Sequence, residues 1–395
     1  MNKLKILLLT SSYPREKGYT RNGVMYIAEE LVRKGMEVGV LVTSLTKDFK
    51  EYTRNGVTVY EHPYTRFFSP SLHKTMDLMV AVKSGFLPKI QLFGYFRNSV
   101  KYIRKIGRDY DLIHAFWFVP SGFFLAVANK FSRKPSLLTS FGSDLHSMPG
   151  NFLVTWILRF VGRNFNFISA ISRYLVNKAQ LRGIDPDKIH VIPALSRIND
   201  FNLPRVRGDK IIIATAARLI PLKRVKDLIT AASIIEKEGI TSDYEVWIIG
   251  EGPEMDNLTG LTKSLNLEDR VKFPGYLDLK EWPEKLSEID IFVHCSEREG
   301  LSTVNIEAMA AGCVVITTDG HSNEELIDDG VDGIIYKNSD PEDLKDKLVK
   351  VIMNPQLKES ISIKAREKSK RYDVDVVVDQ YLKLYGEILE KKSSG

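Results

Sequence analysis

The chain has 395 residues, of which 44% are hydrophobic and 27% are charged. This length exceeds what one ordinary hydrophobic core accommodates, and this mixture is unlike that of a disordered chain, so the composition predicts two globular domains. No stretch approaches the ~20 apolar residues of a membrane-spanning helix, and Cys295 and Cys313 are not spaced as metal ligands. We therefore expect a cytoplasmic protein with two reduced, buried thiols.

Charge is distributed unevenly along the chain. Residues 1–200 contain 29 Lys and Arg against 14 Asp and Glu, a net charge of +15, whereas residues 201–395 contain 27 against 36, a net charge of −9. The basic half is expected to face an anionic partner, although lysines that serve only solubility would give the same count.

Strand and helix patterns alternate from the start of the chain. KILLLTSSYP predicts a buried strand, VMYIAEELVRKG has apolar residues at helical spacing before a Gly, and EVGVLVT predicts the next strand. Further strands are predicted in DLIHAF, SLLTSF, NFISAIS and KIHVIP. This β-α-β alternation indicates a parallel sheet covered on both faces.

The pattern is interrupted once and then restarts. Around residues 196–209 the periodicity is lost and polar residues, Pro and Gly accumulate, as in a linker. Strands are then predicted in KIIIATAARL, YEVWIIGEGP, RVKFPGY, IDIFVHC, CVVITTD and DGIIY, with helices between them. We predict an N-terminal domain over residues 1–200, a C-terminal domain over residues 201–371 and a closing helix over residues 372–392.

Ligands of such sheets bind beyond the carboxyl ends of the strands, where loops lead into helices. In TAARLIPLKRV, Arg218 and Lys223 lie in such a loop, where a guanidinium and an ammonium suit a diphosphate; an exposed basic loop is the alternative. In WIIGEGPEM and KFPGYLD, Gly252 and Tyr276 follow strands in tight turns that bring backbone groups close to a flat ligand such as a nucleobase.

A fourth loop, EREGLSTVNIEAMAAG, leads from the strand IDIFVHC into a helix. The residues at its turn are Gly300, Leu301, Ser302 and Thr303. Backbone N–H groups at residues 301–303 favour an anion at the helix N-terminus. Glu307, eight residues after Glu299, is placed to accept hydrogen bonds from ribose hydroxyls, and Glu299 to face the group beyond the phosphates. A capping Glu299 and a surface Glu307 are the alternative.

The segments AARLIPLKRVKDLI, VWIIGEGPEMDNL, VKFPGYL and EREGLSTVNIEAMAAGCVVITTDGHSNEELIDDGVDGIIY closely resemble those of the family 4 (GT4) retaining glycosyltransferases of GT-B fold. The Glu-x7-Glu pattern with EAMAAG is highly specific, and the resemblance covers essentially the whole chain. It implies an α/β protein with two Rossmann-like parallel-sheet domains facing across a cleft, an acceptor-binding domain and then a nucleotide-sugar-binding domain. By the same resemblance, IHVIPA is the interdomain crossing and the final helix returns to pack on the first domain.

The resemblance also implies a reaction and residue roles. Arg218 and Lys223 would hold the donor diphosphate, Glu299 the transferred sugar and Glu307 the ribose. A hexose-type sugar would pass from a UDP- or GDP-linked donor to an acceptor hydroxyl with retained configuration, the leaving phosphate accepting the proton. Neither a separate cofactor nor a metal is expected, because the cations and the helix N-terminus stabilise the leaving diphosphate.

Two loops of the first half are similar to the acceptor-side loops of the family. In SSYPREKGYTRNGVMYIAEEL, Asn22 and Gly23 stand where the family usually has two glycines, and Asn tolerates left-handed geometry. In LTSFGSDLH, Gly142 and Asp144 match a His-Gly-x-Asp pattern, but Phe141 replaces the histidine, whose role is not carried over. Asp144 is a candidate for orienting the acceptor. The candidate catalytic residues are thus Glu299, Arg218, Lys223 and Asp144.

Other functions were weighed against this one. A nicotinamide-dependent enzyme is disfavoured because no Gly-x-Gly-x-x-Gly turn follows the first strand. A sugar-nucleotide epimerase and a noncatalytic sugar-binding relative are the alternatives, the latter because of Phe141 and Asn22. The Asp-x-Asp triplets at residues 109–111, 185–187 and 373–375 do not follow buried strands into Gly-rich loops, so no metal site is expected there.

The acceptor is indicated only by composition. Residues 63–108 interleave aromatic and basic side chains, which is typical of a surface that rests on anionic lipid headgroups. This predicts peripheral association with the inner face of the cell membrane and a glycan or lipid-linked glycan acceptor. Core aromatics under a solvated face are the alternative. No nucleic-acid module is recognisable, so nucleic acid is not an expected partner.

Overall fold

The computed structural model describes residues 3–14, 22–44, 48–63, 86–130, 132–146, 152–206, 208–240, 243–278 and 280–393. The chain divides into two compact units, one of residues 1–192 with 378–395 and the other of residues 193–377. Each unit is built on a mainly parallel sheet covered by helices, so the predicted α/β class is confirmed.

The described part of the first unit contains an eight-stranded sheet. Its strands are β1 (Lys5–Leu9), β2 (Glu37–Ser44), β3 (Lys50–Arg54), β4 (Val57–Pro63), β5 (Leu112–Phe116), β6 (Ser136–Ser140), β7 (Phe167–Ala170) and β8 (Ile189–Val191). They follow the order β3-β4-β2-β1-β5-β6-β7-β8, and β3 alone pairs antiparallel, with β4. The strands β5 and β6 are buried along their whole length, as is usual for central strands of a sheet covered on both faces.

Helices connect these strands and cover the sheet. They are α1 (Gly23–Arg33), α2 (Phe86–Ile106), α3 (Phe123–Asn129), α4 (Ser143–His146), α5 (Phe152–Arg163), α6 (Arg173–Leu181) and the C-terminal part of α14 (Val374–Ser393). The last helix packs on the first sheet, where the buried His114 ring lies 2.7 Å from both the Tyr385 hydroxyl and the Thr139 hydroxyl. In the described ranges, no helix has the length and apolar character needed to cross a bilayer.

The second unit has a six-stranded, all-parallel sheet in the order β11-β10-β9-β12-β13-β14. Its strands are β9 (Ile211–Ala216), β10 (Tyr244–Ile249), β11 (Val271–Gly275), β12 (Ile291–His294), β13 (Val314–Thr318) and β14 (Ile334–Tyr336). Its helices are α7 (Lys226–Glu238), α8 (Met255–Ser264), α9 (Glu281–Glu288), α10 (Thr303–Ala311), α11 (Asn323–Leu326), α12 (Pro341–Ile352) and α13 (Pro355–Ser369). The strand order reverses between β9 and β12, and ligands of open α/β sheets bind at such a switch point.

The segment expected to be a linker, residues 196–209, is instead attached to the second unit in its described part. Val206 N donates to Ser287 O at 3.0 Å, and the Arg205 guanidinium donates to Leu286 O at 2.9 Å. These carbonyls lie in the last turn of α9, where a cation is favourable. The division between the units therefore falls at residues 192/193, ahead of this polar stretch.

Candidate functional site

The four candidate loops of the second unit follow four neighbouring strands. In the order β11-β10-β9-β12, they carry Tyr276, then Gly252, then Arg218 with Lys223, then Glu299. Because all four strands are parallel, the loops leave from the same carboxyl edge of the sheet. The loops after β9 and β12 are also tied directly, since Glu297 N donates to Leu222 O at 3.0 Å.

Two glycines allow the loops after β10 and β9 to pack backbone against backbone. A Cβ atom at Gly252 would lie 2.3 Å from Leu219 O, and one at Gly250, whose φ is +127°, would lie 2.0 Å from Ala217 O. The turn at Gly252 was expected to bring backbone close to a flat ligand. The close approach seen here is to protein backbone, and it positions the loop that carries Arg218.

Replacement of Gly252 by Ala is therefore expected to displace the Leu219 backbone. Overpacking of this kind lowers the free energy of unfolding by roughly 1–3 kcal/mol, and chemical denaturation measures it. Gly260→Ala is the matched control, because a Cβ there meets open space on α8 and Ala favours a helix. Equal stability of the two variants would contradict the proposed backbone contact.

Glu299 lies in a cluster with Lys223 and His294. The Lys223 ammonium donates a hydrogen bond to the Glu299 carboxylate. His294 Nε2 lies 3.3 Å from Glu299 Oε1, without the alignment of a hydrogen bond. Burial by itself raises the pKa of Glu299, but the His294 ring and the Lys223 ammonium outweigh it and lower the pKa to about 2. Glu299 is therefore an ionised acceptor at neutral pH, suited to hydroxyl groups.

The two candidate phosphate-binding cations differ in their surroundings. Lys223 ends a short 3-10 turn and is engaged with Glu299, whereas the Arg218 side chain is exposed and has no hydrogen bond or ion pair with any residue that the structure describes. From their positions in the loop after β9, both cations were expected to reach one diphosphate. In this structure only the Arg218 guanidinium is uncommitted, and Lys223 already neutralises a carboxylate.

The helix α10 begins where the sequence places an anion site. Ser302 is its N-cap, with Oγ accepting from Asn305 N at 3.3 Å. The backbone N–H groups of residues 301–304 have no acceptor among the described residues. Such a helix N-terminus, with its partial positive charge, favours a phosphate oxygen.

Glu307 is buried, with only 9% of its surface exposed. Its Oε1 accepts from Ser196 Oγ at 2.9 Å, and its Oε2 accepts from Trp282 Nε1 at 2.8 Å. The alternative of a surface Glu307 is therefore wrong. A carboxylate oxygen is able to accept more than one hydrogen bond, so these two donors do not by themselves exclude a hydroxyl ligand.

Asp144 of the first unit holds together the loops that follow β5 and β6. Its carboxylate accepts from Phe118 N at 2.7 Å, Ser140 Oγ at 2.8 Å and Gly142 N at 3.2 Å. Burial raises the pKa of Asp144, and these donors oppose the shift. Its oxygens accept hydrogen bonds from these loops, and the role of Asp144 in orienting an acceptor stays a prediction.

Phe141 and Asn22 depart from the family pattern, and both have structural roles. The Phe141 ring stacks on Phe116, with centroids 5.6 Å apart, and lies within 3.6 Å of the Cβ position of Gly23. Asn22 caps α1, because its Oδ1 accepts from Met25 N at 2.9 Å and its φ of −138° is extended. Position 22 therefore requires no left-handed backbone, contrary to the reason given for tolerating Asn there.

Comparison with known proteins decides the family. Residues 196–368 match the family model described as glycosyl transferases group 1, and residues 21–194 match the model described as Glycosyltransferase Family 4. Together these matches span most of the chain. This chain is a group 1, GT4-type glycosyltransferase.

Relatives of the glycosyltransferase support the same family and fold. N-acetyl-alpha-D-glucosaminyl L-malate synthase of Bacillus anthracis is 24% identical over 72% of this chain and 77% of that protein. Poly(ribitol-phosphate) alpha-N-acetylglucosaminyltransferase of Staphylococcus aureus is 26% identical over 58% of this chain and 46% of that protein. The GT-B structure of Anabaena Alr3699/HepE, solved with UDP and glucose, has a TM-score of 0.74 and 18% identity, with 97% of this chain and 100% of that chain covered.

Three residues of the glycosyltransferase that the sequence analysis did not single out contact its two glutamates. His294 ends β12 at the switch point, and that position, five residues before Glu299, was a usable signal. Ser196 and Trp282 reach Glu307 from positions 111 and 25 residues away. No spacing rule connects them, so only the fold reveals these partners.

One aspartate of each Asp-x-Asp triplet of the glycosyltransferase accepts a hydrogen bond from a backbone N–H group. Asp111 accepts from the Lys5 backbone, Asp185 from a backbone N–H two residues on, and Asp373 from the Ile198 backbone. In the parts of the chain that the structure describes, no group of three or more His, Cys, Asp or Glu residues is placed to hold a metal ion.

Proposed function

We propose that this glycosyltransferase moves a hexose-type sugar from a nucleoside-diphosphate sugar to a glycan or lipid-linked glycan, with retained anomeric configuration and without a metal ion. The observation that carries the proposal is the order of the loops along one sheet edge, from Tyr276 and Gly252, through Arg218 and Lys223, to Glu299. This order follows that of a base, a diphosphate and a sugar.

The leaving diphosphate is the group whose negative charge grows during transfer. Arg218 offers an uncommitted guanidinium, and the start of α10 offers unpaired N–H groups whose positions the helix fixes, so both are able to stabilise that charge. Lys223 is held by Glu299 and supplies its charge between phosphate and sugar. The leaving phosphate accepts the proton of the acceptor hydroxyl on the same face of the sugar.

The carboxylates divide the remaining binding between them. Glu299, ionised and partly accessible, accepts hydrogen bonds from hydroxyls of the transferred sugar. Glu307, already fixed by Ser196 and Trp282, accepts from the ribose. In the first unit, Asp144 acts on the acceptor by shaping the loop of Gly142, whose φ is +105°.

The proposed donor and acceptor classes also agree with the relatives. Anabaena Alr3699/HepE was solved with UDP and with UDP-glucose, and Staphylococcus aureus TarM with UDP and alpha-GlcNAc-glycerol. Peripheral membrane association was predicted from residues 63–108, of which residues 64–85 lie outside the described residues. The net charge of +15 on residues 1–200 supports an anionic surface as partner.

Thermal unfolding against a panel of UDP- and GDP-sugars tests the donor class. A saturating donor at about 100 times its Kd adds about 2.7 kcal/mol of stability, so the matching sugar nucleotide should raise Tm by several degrees. Donor hydrolysis and transfer are then measured separately. Binding without either turnover would support the noncatalytic alternative, and transfer lost to a chelator and restored by manganese would refute the metal-free reaction.

A further inference from the structure

Three neighbouring helices of the first unit, α2, α3 and α5, carry apolar side chains at the surface. We name as the aromatic edge the residues Phe93, Phe96, Phe123, Phe152, Leu153 and Trp156. Phe152 is 86% exposed, Phe93 68%, Leu153 64% and Trp156 52%. Phe152 is the most exposed large hydrophobic residue in the described part of the chain. Isolated exposed apolar residues are ordinary, but a contiguous group marks an interaction surface.

Ring contacts join three members of the aromatic edge, Trp156, Phe123 and Phe96, through the neighbouring Phe160. The Trp156 ring stacks on Phe160 with centroids 5.7 Å apart. Phe160 contacts Phe123 at 6.0 Å, and Phe123 contacts Phe96 at 6.0 Å. The series runs from α5 across α3 to α2. Phe152 and Leu153 lie four and three residues before Trp156 on α5, and Phe93 lies three residues before Phe96 on α2, so they share helix faces with members of the series.

The aromatic edge lies towards the end of the sheet that carries the acceptor loops. Each of the three helices follows one parallel strand and leads into the next, so each begins at the carboxyl edge of the sheet. Phe123 and Phe152 are the first residues of α3 and α5, and Phe93 lies in the first half of α2. The loops of Gly23 and Gly142 leave from the same edge.

Positive charge accompanies this apolar surface. The helices α2, α3 and α5 contain no Asp or Glu. Arg97, Lys101 and Lys105 are exposed and recur every four residues, so they lie on one side of α2. Arg159 and Arg163 add exposed cations on α5. A second copy of this chain would bring like charges together, whereas an anionic bilayer complements both the cations and the aromatic side chains.

We propose that the aromatic edge inserts into the interface of an anionic lipid bilayer and so brings the acceptor loops of the first unit to a membrane-borne acceptor. The docking is independent of the reaction; only the statement about the acceptor rests on the proposed function. The surface differs from the predicted stretch 63–108, because α3 and α5 supply four of its six residues.

Co-sedimentation of the full chain with vesicles tests the proposal. Vesicles of equimolar phosphatidylcholine and phosphatidylglycerol are expected to bind the wild type. Phe152→Ser with Trp156→Ser should weaken that binding at least about tenfold, as loss of inserted apolar surface requires. Leu181→Ser is the matched control, because Leu181 is 81% exposed but ends α6, at the opposite edge of the sheet. Unchanged unfolding midpoints show that the variants remain folded.

A second variant tests whether the positive charges of α2 contribute to bilayer binding. Arg97→Gln with Lys101→Gln and Lys105→Gln should reduce binding to the anionic vesicles, and added salt should reduce wild-type binding to the same level. Vesicles of phosphatidylcholine alone should bind both proteins weakly and equally. Anionic vesicles that bind the charge variant as well as the wild type would contradict the electrostatic part.

Failure of the docking and failure of the proposed function are distinguishable. Sugar-nucleotide binding, measured without lipid, should be the same in wild type and in the Phe152→Ser, Trp156→Ser variant. If the wild type binds a sugar nucleotide but does not co-sediment with anionic vesicles, the proposed docking is refuted and the proposed function is not. Sedimentation velocity tests the other possible occupant. If the wild type forms a dimer and the Phe152→Ser, Trp156→Ser variant does not, the aromatic edge binds a second copy of the chain and not a bilayer.

Discussion

Replacement of Glu299 by Gln is expected to lower sugar transfer by about 10²–10³-fold, the usual loss when one preorganised electrostatic group is removed. The change keeps the shape of the side chain but removes the charge that holds Lys223 and lies 3.3 Å from His294. Nucleoside-diphosphate affinity should change by less than about threefold, because the sugar and not the nucleotide loses its partner. Single-turnover transfer and calorimetric nucleotide binding measure the two quantities.

The same variant leaves the Lys223 ammonium without its partner. Lys223 is about one-fifth exposed, so the free energy of unfolding should fall by about 1–2 kcal/mol, less than for a fully buried pair. Glu297→Gln is the matched control, because Glu297 lies two residues away in the same loop and pairs with Arg298 at the surface. Equal losses of transfer in the two variants would refute a specific role for Glu299.

The lowered pKa of Glu299 predicts how sugar transfer depends on pH. Because the pKa is lowered to about 2, the carboxylate stays ionised as pH falls to about 4, and its stabilising contribution is lost only between its ordinary pKa of about 4.5 and about 2. Any loss of transfer between pH 7 and pH 5 therefore arises from another group. A loss of transfer in this pH range should therefore also be seen in the residual activity of Glu299→Gln.

Replacement of Glu307 by Ala is expected to weaken nucleotide binding at least about tenfold, as loss of hydrogen bonds to a charged acceptor does. It also leaves Ser196 Oγ and Trp282 Nε1 without their acceptor, at a cost of about 1–3 kcal/mol for the buried Ser196 donor and less for the half-buried Trp282 donor. Calorimetric titration with the nucleoside diphosphate gives the affinity, and chemical denaturation gives the stability.

Trp282→Phe separates the two effects of the Glu307 change. It removes the indole N–H donor and keeps an aromatic ring against Phe292, whose centroid lies 6.3 Å away. Stability should fall, but nucleotide affinity should stay within about threefold of wild type because the Glu307 carboxylate is retained. If Trp282→Phe and Glu307→Ala lose the same nucleotide affinity, Glu307 supports the structure of the site and does not contact the nucleotide.

The elements were largely predictable because the signals are local. Short, mainly apolar runs predicted β1, β5, β6 and β9, since strands covered on both faces are rich in apolar residues. The polar residues buried in β5 and β6 are hydrogen-bonded, as in the contact between His114 and Thr139. The β3–β4 hairpin was missed although Asn55 and Gly56, both with positive φ, form its turn and are a strong hairpin signal. The exposed aromatics of α5 were also missed, because an apolar helix pattern does not reveal which residues the neighbouring elements leave uncovered.

For the candidate site, the sequence by itself determined which residues stand at the carboxyl ends of strands. Strand periodicity, glycines in turns and the Glu-x7-Glu spacing are all local patterns, which are recognisable in short stretches of the chain. Only the tertiary structure decided which partner each residue takes. Lys223 joins Glu299 across 76 residues, Ser196 joins Glu307 across 111, and Asp144 binds the Phe118 backbone across 26. Such contacts depend on strand order and loop packing, and a carboxylate takes whichever donors the folded chain brings within hydrogen-bonding distance.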